Sequence, residues 1–152
     1  MNPYRAVLFD FDGTLMDTSP GVITCLLQTL VELGIHEEHK EVLQIFWEPP
    51  AGEFFIDAYG FSESQAQKAS LPFRQKFQKG SHLDAIPYEG IKEFIFALRN
   101  FGCRTAVATN KQQKLAQSMI QHFHFAPCFD AVCGASEHKR LQKWDIVQQA
   151  LD

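Results

Sequence analysis

The feature that most constrains this 152-residue chain lies at its start, where a short apolar run, Tyr4 to Phe9 (YRAVLF), stops at Asp10-Phe11-Asp12-Gly13-Thr14. A run without polar alternation reads as a strand buried on both faces, which means a parallel sheet covered by helices. A second run, Cys103 to Ala108 (CRTAVA), ends in Thr109-Asn110-Lys111, and Phe129 to Cys133 is a third strand candidate. Helical stripes separate and follow them: Ile91, Phe94, Ile95 and Leu98 up to Gly102; Leu115, Met119 or Ile120, and Phe123; then Trp144, Ile146, Val147, Ala150 and Leu151. Strands alternating with helices predict an α/β fold with a Rossmann-like, doubly wound parallel sheet. Ligands on such sheets bind beyond the carboxyl ends of the strands. The two polar strings are therefore expected on one rim.

Between the first two strands the pattern is helical. A helix is expected after Asp17-Thr18-Ser19, with Ser19 as N-cap, Pro20 in the first helical position and Gly34 closing it. Residues 37–79 read as interrupted helix, broken at Pro49-Pro50, restarted by the capping box Ser62-Glu63-Ser64-Gln65, and kinked or divided at Pro72. Leu83 to Gly90 is a linker carrying Pro87 and Gly90.

Composition removes several function classes. Fourteen Lys and Arg stand against eighteen Asp and Glu, without a basic block, which argues against nucleic acid as a partner. No apolar run approaches the ~20 residues of a membrane span. Acids directly follow the first apolar stretch, so no signal peptide is expected there. Cys25, Cys103, Cys128 and Cys133 show no C-x-x-C spacing and read as thiols of a reducing cytoplasm.

The polar strings permit specific chemistry. Asp10 and Asp12 flank one apolar residue, and two close carboxylates repel each other and invite a cation. Mg²⁺ suits such oxygen ligands. One carboxylate can attack phosphorus, while the other protonates the leaving oxygen and then activates water. Gly13 allows close backbone approach, and Thr109 and Asn110 can hold phosphate oxygens from the opposite side. The bland alternative is a turn with two solvated acids.

The longer string Phe9-Asp10-Phe11-Asp12-Gly13-Thr14-Leu15, followed by Asp17-Thr18, resembles motif I of the haloacid-dehalogenase-like hydrolases. Ala108-Thr109-Asn110 resembles motif II. Gly134-Ala135-Ser136 with Lys139-Arg140-Leu141-Gln142-Lys143 resembles motif III, Lys143 matching its lysine in preference to Lys139 or Arg140. Pro87-Tyr88-Glu89-Gly90 is similar to the segment joining cap to core. Trp47-Glu48-Pro49-Pro50 with Phe54-Phe55 resembles the cap of the phosphoglycolate-phosphatase-like branch.

The resemblance implies a core of residues 1–16 and 83–152 and a helical cap of residues 17–82. It implies Asp10 as nucleophile and Mg²⁺ ligand, and Asp12 as acid/base that also gives the metal its backbone carbonyl. Thr109 and Asn110 would bind the phosphoryl group, with Gly13 beside it, and Lys143 would neutralise its charge and steady Asp10. The substrate would be a small phosphorylated metabolite. Dehalogenating members lack an acid at the position of Asp12, so the resemblance favours phosphoryl transfer.

An acidic fourth motif of the family finds no match before Asp152. The C-terminal part of the usual core is therefore expected to be missing, with weak Mg²⁺ binding and reduced turnover. The first strand would then have an exposed edge, through which a homodimer is expected. A phosphomutase and a silent phosphate- or partner-binding remnant are the competing readings. Lys111 is read either as reaching an anionic substrate or as merely opening a helix. The aromatics Phe46, Trp47, Phe54, Phe55 and Phe61 read as pocket lining or as the cap's own core. The six histidines are scattered, and His122 and His124, at a helix end, read as surface residues and not as metal ligands.

Overall fold

The computed structural model describes residues 4–37, 51–136 and 141–152. The chain divides into two compact units, one of residues 1–17 and 86–152, the other of residues 18–85.

The first unit is built on a parallel sheet of β1 (Ala6–Phe9), β4 (Arg104–Gln112) and β5 (Ala131–Ala135), in the order β1-β4-β5. Its helices are α4 (Ile91–Asn100), α5 (Gln113–His122) and α6 (Lys143–Leu151). Five consecutive residues of the central strand, Thr105 to Thr109, are buried. Side chains alternate between faces in a strand, so an unbroken buried run means that both faces are covered. The expected α/β parallel architecture is what the chain adopts. A ribbon of β2 (Met16–Asp17) and β3 (Ile86–Pro87) is antiparallel and was not foreseen, because two-residue strands carry no readable periodicity.

Several boundaries differ from those read in the sequence. β1 starts at Ala6, the first residue paired with β4, and Tyr4 before it is exposed. β4 does not stop at Ala108; it passes a bulge and pairs Gln112 with Ala135. Thr109, Asn110 and Lys111 are thus part of a strand and not of a loop following it. β5 begins at Ala131, since Phe129 is used instead to stack on Phe125 and meet Phe9 edge-on.

The second unit contains α1 (Ser19–Glu32), α2 (Ala51–Tyr59) and α3 (Glu63–Lys79). Cys25, Leu26, Leu30, Phe54, Phe55, Ala66, Ala69 and Phe73 form one buried cluster. Phe54 and Phe55 are therefore core residues of this unit, while Phe46, Trp47 and the Pro49-Pro50 break lie outside the described residues. Ser62 and Gln65 form the expected capping box. Ser19 is not the N-cap of α1; the helix begins at Ser19 with Thr18 in the cap position. Pro72 does not divide α3. The carbonyl that loses its helical donor belongs to Lys68, which is exposed, so water can satisfy it, and burial of Phe73 and Ala69 holds the helix together.

Candidate active site

The site is assembled at the carboxyl end of the sheet, within the first unit. Phe9 pairs with Val107, so the register carries Asp10 alongside Ala108 and brings the two polar strings to adjacent strand tips. Beyond β1 the chain turns tightly. Leu15 N–H donates to the Phe11 carbonyl at 2.9 Å, and Gly13 N–H donates to the Met16 carbonyl at 3.0 Å. Gly13 has φ +71°, the left-handed region that glycine enters without strain. Phe11, Leu15 and Met16 are fully buried and anchor the turn. Asp10 and Asp12, on either side of Phe11, keep 49% and 37% of their side-chain surface. One buried ring thus holds two open carboxylates in place.

Each carboxylate has its own lysine. Lys143 Nζ, on the first turn of α6, lies 3.0 Å from Asp10 Oδ1 and donates to the Ala108 carbonyl at 2.8 Å. It ties the tip of β1 to β4. Phe11 N–H also donates to Asp10 Oδ1, at 2.8 Å. Lys111 Nζ lies 3.0 Å from Asp12 Oδ1 and 5.6 Å from the centre of the Phe11 ring. Lys111 lies within β4 and does not open a helix, which corrects that reading of it. No local signal points Lys111 at Asp12, because Thr109 and Lys111 lie in the irregular stretch between Ala108 and Gln112.

Thr109 is buried and its Oγ1 accepts the Lys111 N–H at 3.2 Å, while Asn110 is exposed. Gln113 was also missed. Its side-chain amide donates to the Val132 carbonyl at 2.8 Å and its oxygen accepts the Gly134 N–H, so it clamps β5 against the irregular end of β4. Gly134 is needed there, because a Cβ would fall 2.6 Å from the Lys111 carbonyl oxygen. Asp145 is turned away into a capping bond with Gln142 N–H. Lys139 and Arg140 lie outside the described residues.

The donor set suits a hard cation. Asp10 supplies a half-exposed carboxylate, and both of its described contacts go to Oδ1. No cluster of three His, Cys, Asp or Glu exists among the described residues. A Mg²⁺ held by Asp10 and Asp12 would keep most of its waters, as that ion commonly does. Two carboxylates opposed by two ammonium groups leave the site near neutral. A divalent cation and a phosphate dianion can then enter together without residual charge.

A family model for haloacid dehalogenase-like hydrolases matches residues 7–152, and the chain belongs to that family. Phosphoglycolate phosphatases are among its relatives. It is 33% identical over 150 residues to a 5'-nucleotidase of Pseudomonas aeruginosa, covering 98% of this chain and 68% of that protein. It is 31% identical over 149 residues to the tyrosine-protein kinase PtkA of Mycobacterium tuberculosis, covering 97% of this chain and 50% of that one. A haloacid dehalogenase-like hydrolase from Streptococcus pneumoniae superposes with a TM-score of 0.87 at 27% identity, covering 99% of this chain and 70% of that one. The chain thus spans from half to about seven-tenths of the length of these proteins. No helix among the described residues is long and apolar enough to cross a membrane.

Proposed function

We propose that the chain is a Mg²⁺-dependent phosphatase for small phosphomonoesters, working through an aspartyl-phosphate on Asp10. The observation that carries this reading is the bridge of Lys143 between Asp10 Oδ1 and the Ala108 carbonyl, which sets a nucleophile and a cation at the junction of two strand tips. A phosphomonoester monoanion gives its proton to the Asp12 carboxylate on binding; Asp10 then attacks phosphorus, and the bond to the leaving oxygen breaks as Asp12 passes that proton to the oxygen. Asp12, now a carboxylate, takes a proton from water, which attacks the same phosphorus and releases phosphate from Asp10. Thr109 Oγ1 accepts from Lys111 N–H and keeps its own O–H for a phosphoryl oxygen, assisted by the Asn110 backbone. Lys143 neutralises charge on the transferred group. Bound Mg²⁺, held by the Asp10 carboxylate and the Asp12 carbonyl, would screen the phosphate from the carboxylates.

Residues 18–85 serve in this reading as the helical cap that selects the substrate. The relatives' names favour a nucleoside monophosphate or phosphoglycolate as its class. Four free thiols accord with work in the cytoplasm. β1 pairs with β4 alone among the described strands, which supports a homodimer through its other edge, readable by light scattering.

The test is hydrolysis of p-nitrophenyl phosphate with Mg²⁺, beside Asp10→Asn. Slow turnover that falls by about a thousandfold or more in the variant is expected, from loss of the nucleophile. Acid-quenched protein should carry one phosphoryl group in the wild type and none in Asp10→Asn. Turnover that survives Asp10→Asn removes the reading. Transfer to a second hydroxyl in place of water would select a mutase.

A further inference from the structure

Both site lysines hold a carboxylate at 3.0 Å, yet their surroundings separate their tasks. Lys143 keeps 40% of its side-chain surface, and Asp10 beneath it keeps 49%. An anion arriving from solvent meets this ammonium. Lys111 keeps only 7%. Its charge is enclosed against the Phe11 ring and directed at Asp12. A buried ammonium is costly unless paired, so Lys111 is held to that carboxylate.

The backbone of Lys111 is itself fixed. Its N–H donates to Thr109 Oγ1, Gln113 ties the neighbouring residue of the strand end to Val132 and Gly134, and Gly134 sits against the Lys111 carbonyl. Asp12, by contrast, lies on a turn whose carboxylate faces solvent. Rotation of such a side chain would have to be frozen at each catalytic event.

We propose that Lys111 is a positioning residue: it reaches from β4 to lock the Asp12 carboxylate in one orientation, so that the acid/base group is aligned before the phosphomonoester binds. This rests on the phosphatase reading above. Lys111 acts through Asp12 and does not touch the substrate.

Lys111→Met, which keeps the stem over Phe11, is compared with wild type and Lys111→Arg on p-nitrophenyl phosphate. Misplacement of a catalytic group by about an ångström costs roughly a hundredfold. Lys111→Met should therefore lose about that factor in kcat with KM changed less than about twofold. Lys111→Arg should recover a large part of kcat. A raised KM with kcat retained would overturn the proposal by making Lys111 a substrate contact. Wild-type kinetics in Lys111→Met would overturn it alone and leave the phosphatase reading standing, whereas a silent wild type removes both.

Urea unfolding supplies an arm independent of turnover. The Lys111→Met/Asp12→Asn double variant should have a midpoint above that of Asp12→Asn alone, because Asp12→Asn leaves the buried Lys111 ammonium without this carboxylate. Additive midpoints would show that the pair is uncoupled and overturn the proposal.

Discussion

The sheet unit and the helical unit hold their key residues by different means. In the sheet unit, the register of β1 on β4 sets where the carboxylates stand, and lysines from α6 and the end of β4 hold them. In the helical unit, Phe54, Phe55, Phe73 and their aliphatic partners form one buried apolar cluster. Phe55 stacks on Phe61 with ring centres 5.7 Å apart and meets Phe54 edge-on. Polar bonds here trim the edges: Tyr59 Oη donates to Glu37 at 2.6 Å, and Lys76 pairs with Glu32 at 2.6 Å. Burial first, and then the Glu37 carboxylate, push the Tyr59 hydroxyl well above its ordinary range, so it remains a donor. Directional bonds fix atoms to fractions of an ångström, as chemistry requires. Apolar packing supplies stability and tolerates variation, which suits a unit whose proposed task is selection.

The contrast can be broken first in the helical unit. Phe55→Ala should cost about 3–5 kcal/mol in urea unfolding, because a fully buried ring leaves a cavity. A loss below about 1 kcal/mol would mean that packing around Phe55 does not hold this unit.

In the sheet unit, Gly134→Ala should cost about 1–3 kcal/mol, because the new methyl meets main-chain atoms of Lys111 and Gln113 that cannot rotate away. Turnover should fall with it, since the strand bearing Thr109 and Lys111 must shift. Unchanged stability and unchanged kcat together would show that the close approach is not kept in solution.

The smallest expected effect sharpens the electrostatic side. Asp130 accepts the Thr105 N–H at 2.9 Å and pairs with Arg99 at 3.0 Å. That backbone bond first, and then Arg99, hold its carboxyl below the ordinary carboxylate range. A depressed folded-state pKa gives stability that is present above the unfolded value, near ~3.9, and lost as pH falls through the lower folded value. Asp130→Asn should therefore cost about 1 kcal/mol at neutral pH. The difference from wild type should close in acid, read from urea midpoints across pH. A cost independent of pH would assign the effect to shape and not to charge.

Much of the fold was legible because apolar runs and helical stripes report burial directly. The β1 and β4 strands, the three helices of the sheet unit and the Ser62 capping box follow from that signal. The end of β4 was not legible: Thr109 to Gln112 is a polar string, and nothing local distinguishes a strand past a bulge from a loop. The β2–β3 ribbon is too short for any pattern. Asp10 and Asp12 were singled out from their spacing beyond a strand and Lys143 from motif resemblance, but the partner of Lys111 and the clamp made by Gln113 depend on residues about twenty to a hundred positions apart in the chain.

The sequence by itself determined the family, the alternation of strands and helices, and the identity of the charged groups at the rim, because each is written in local residue order. The motif resemblance already implied that Lys143 steadies Asp10; tertiary structure alone decided that Lys111 serves Asp12, and from a buried position. Lys143 and Lys111 carry the same charge and comparable reach; the register of β1 on β4, the bulge and the docking of α6 leave Lys143 in the open beside Asp10 and enclose Lys111, whose ammonium meets the Asp12 carboxylate.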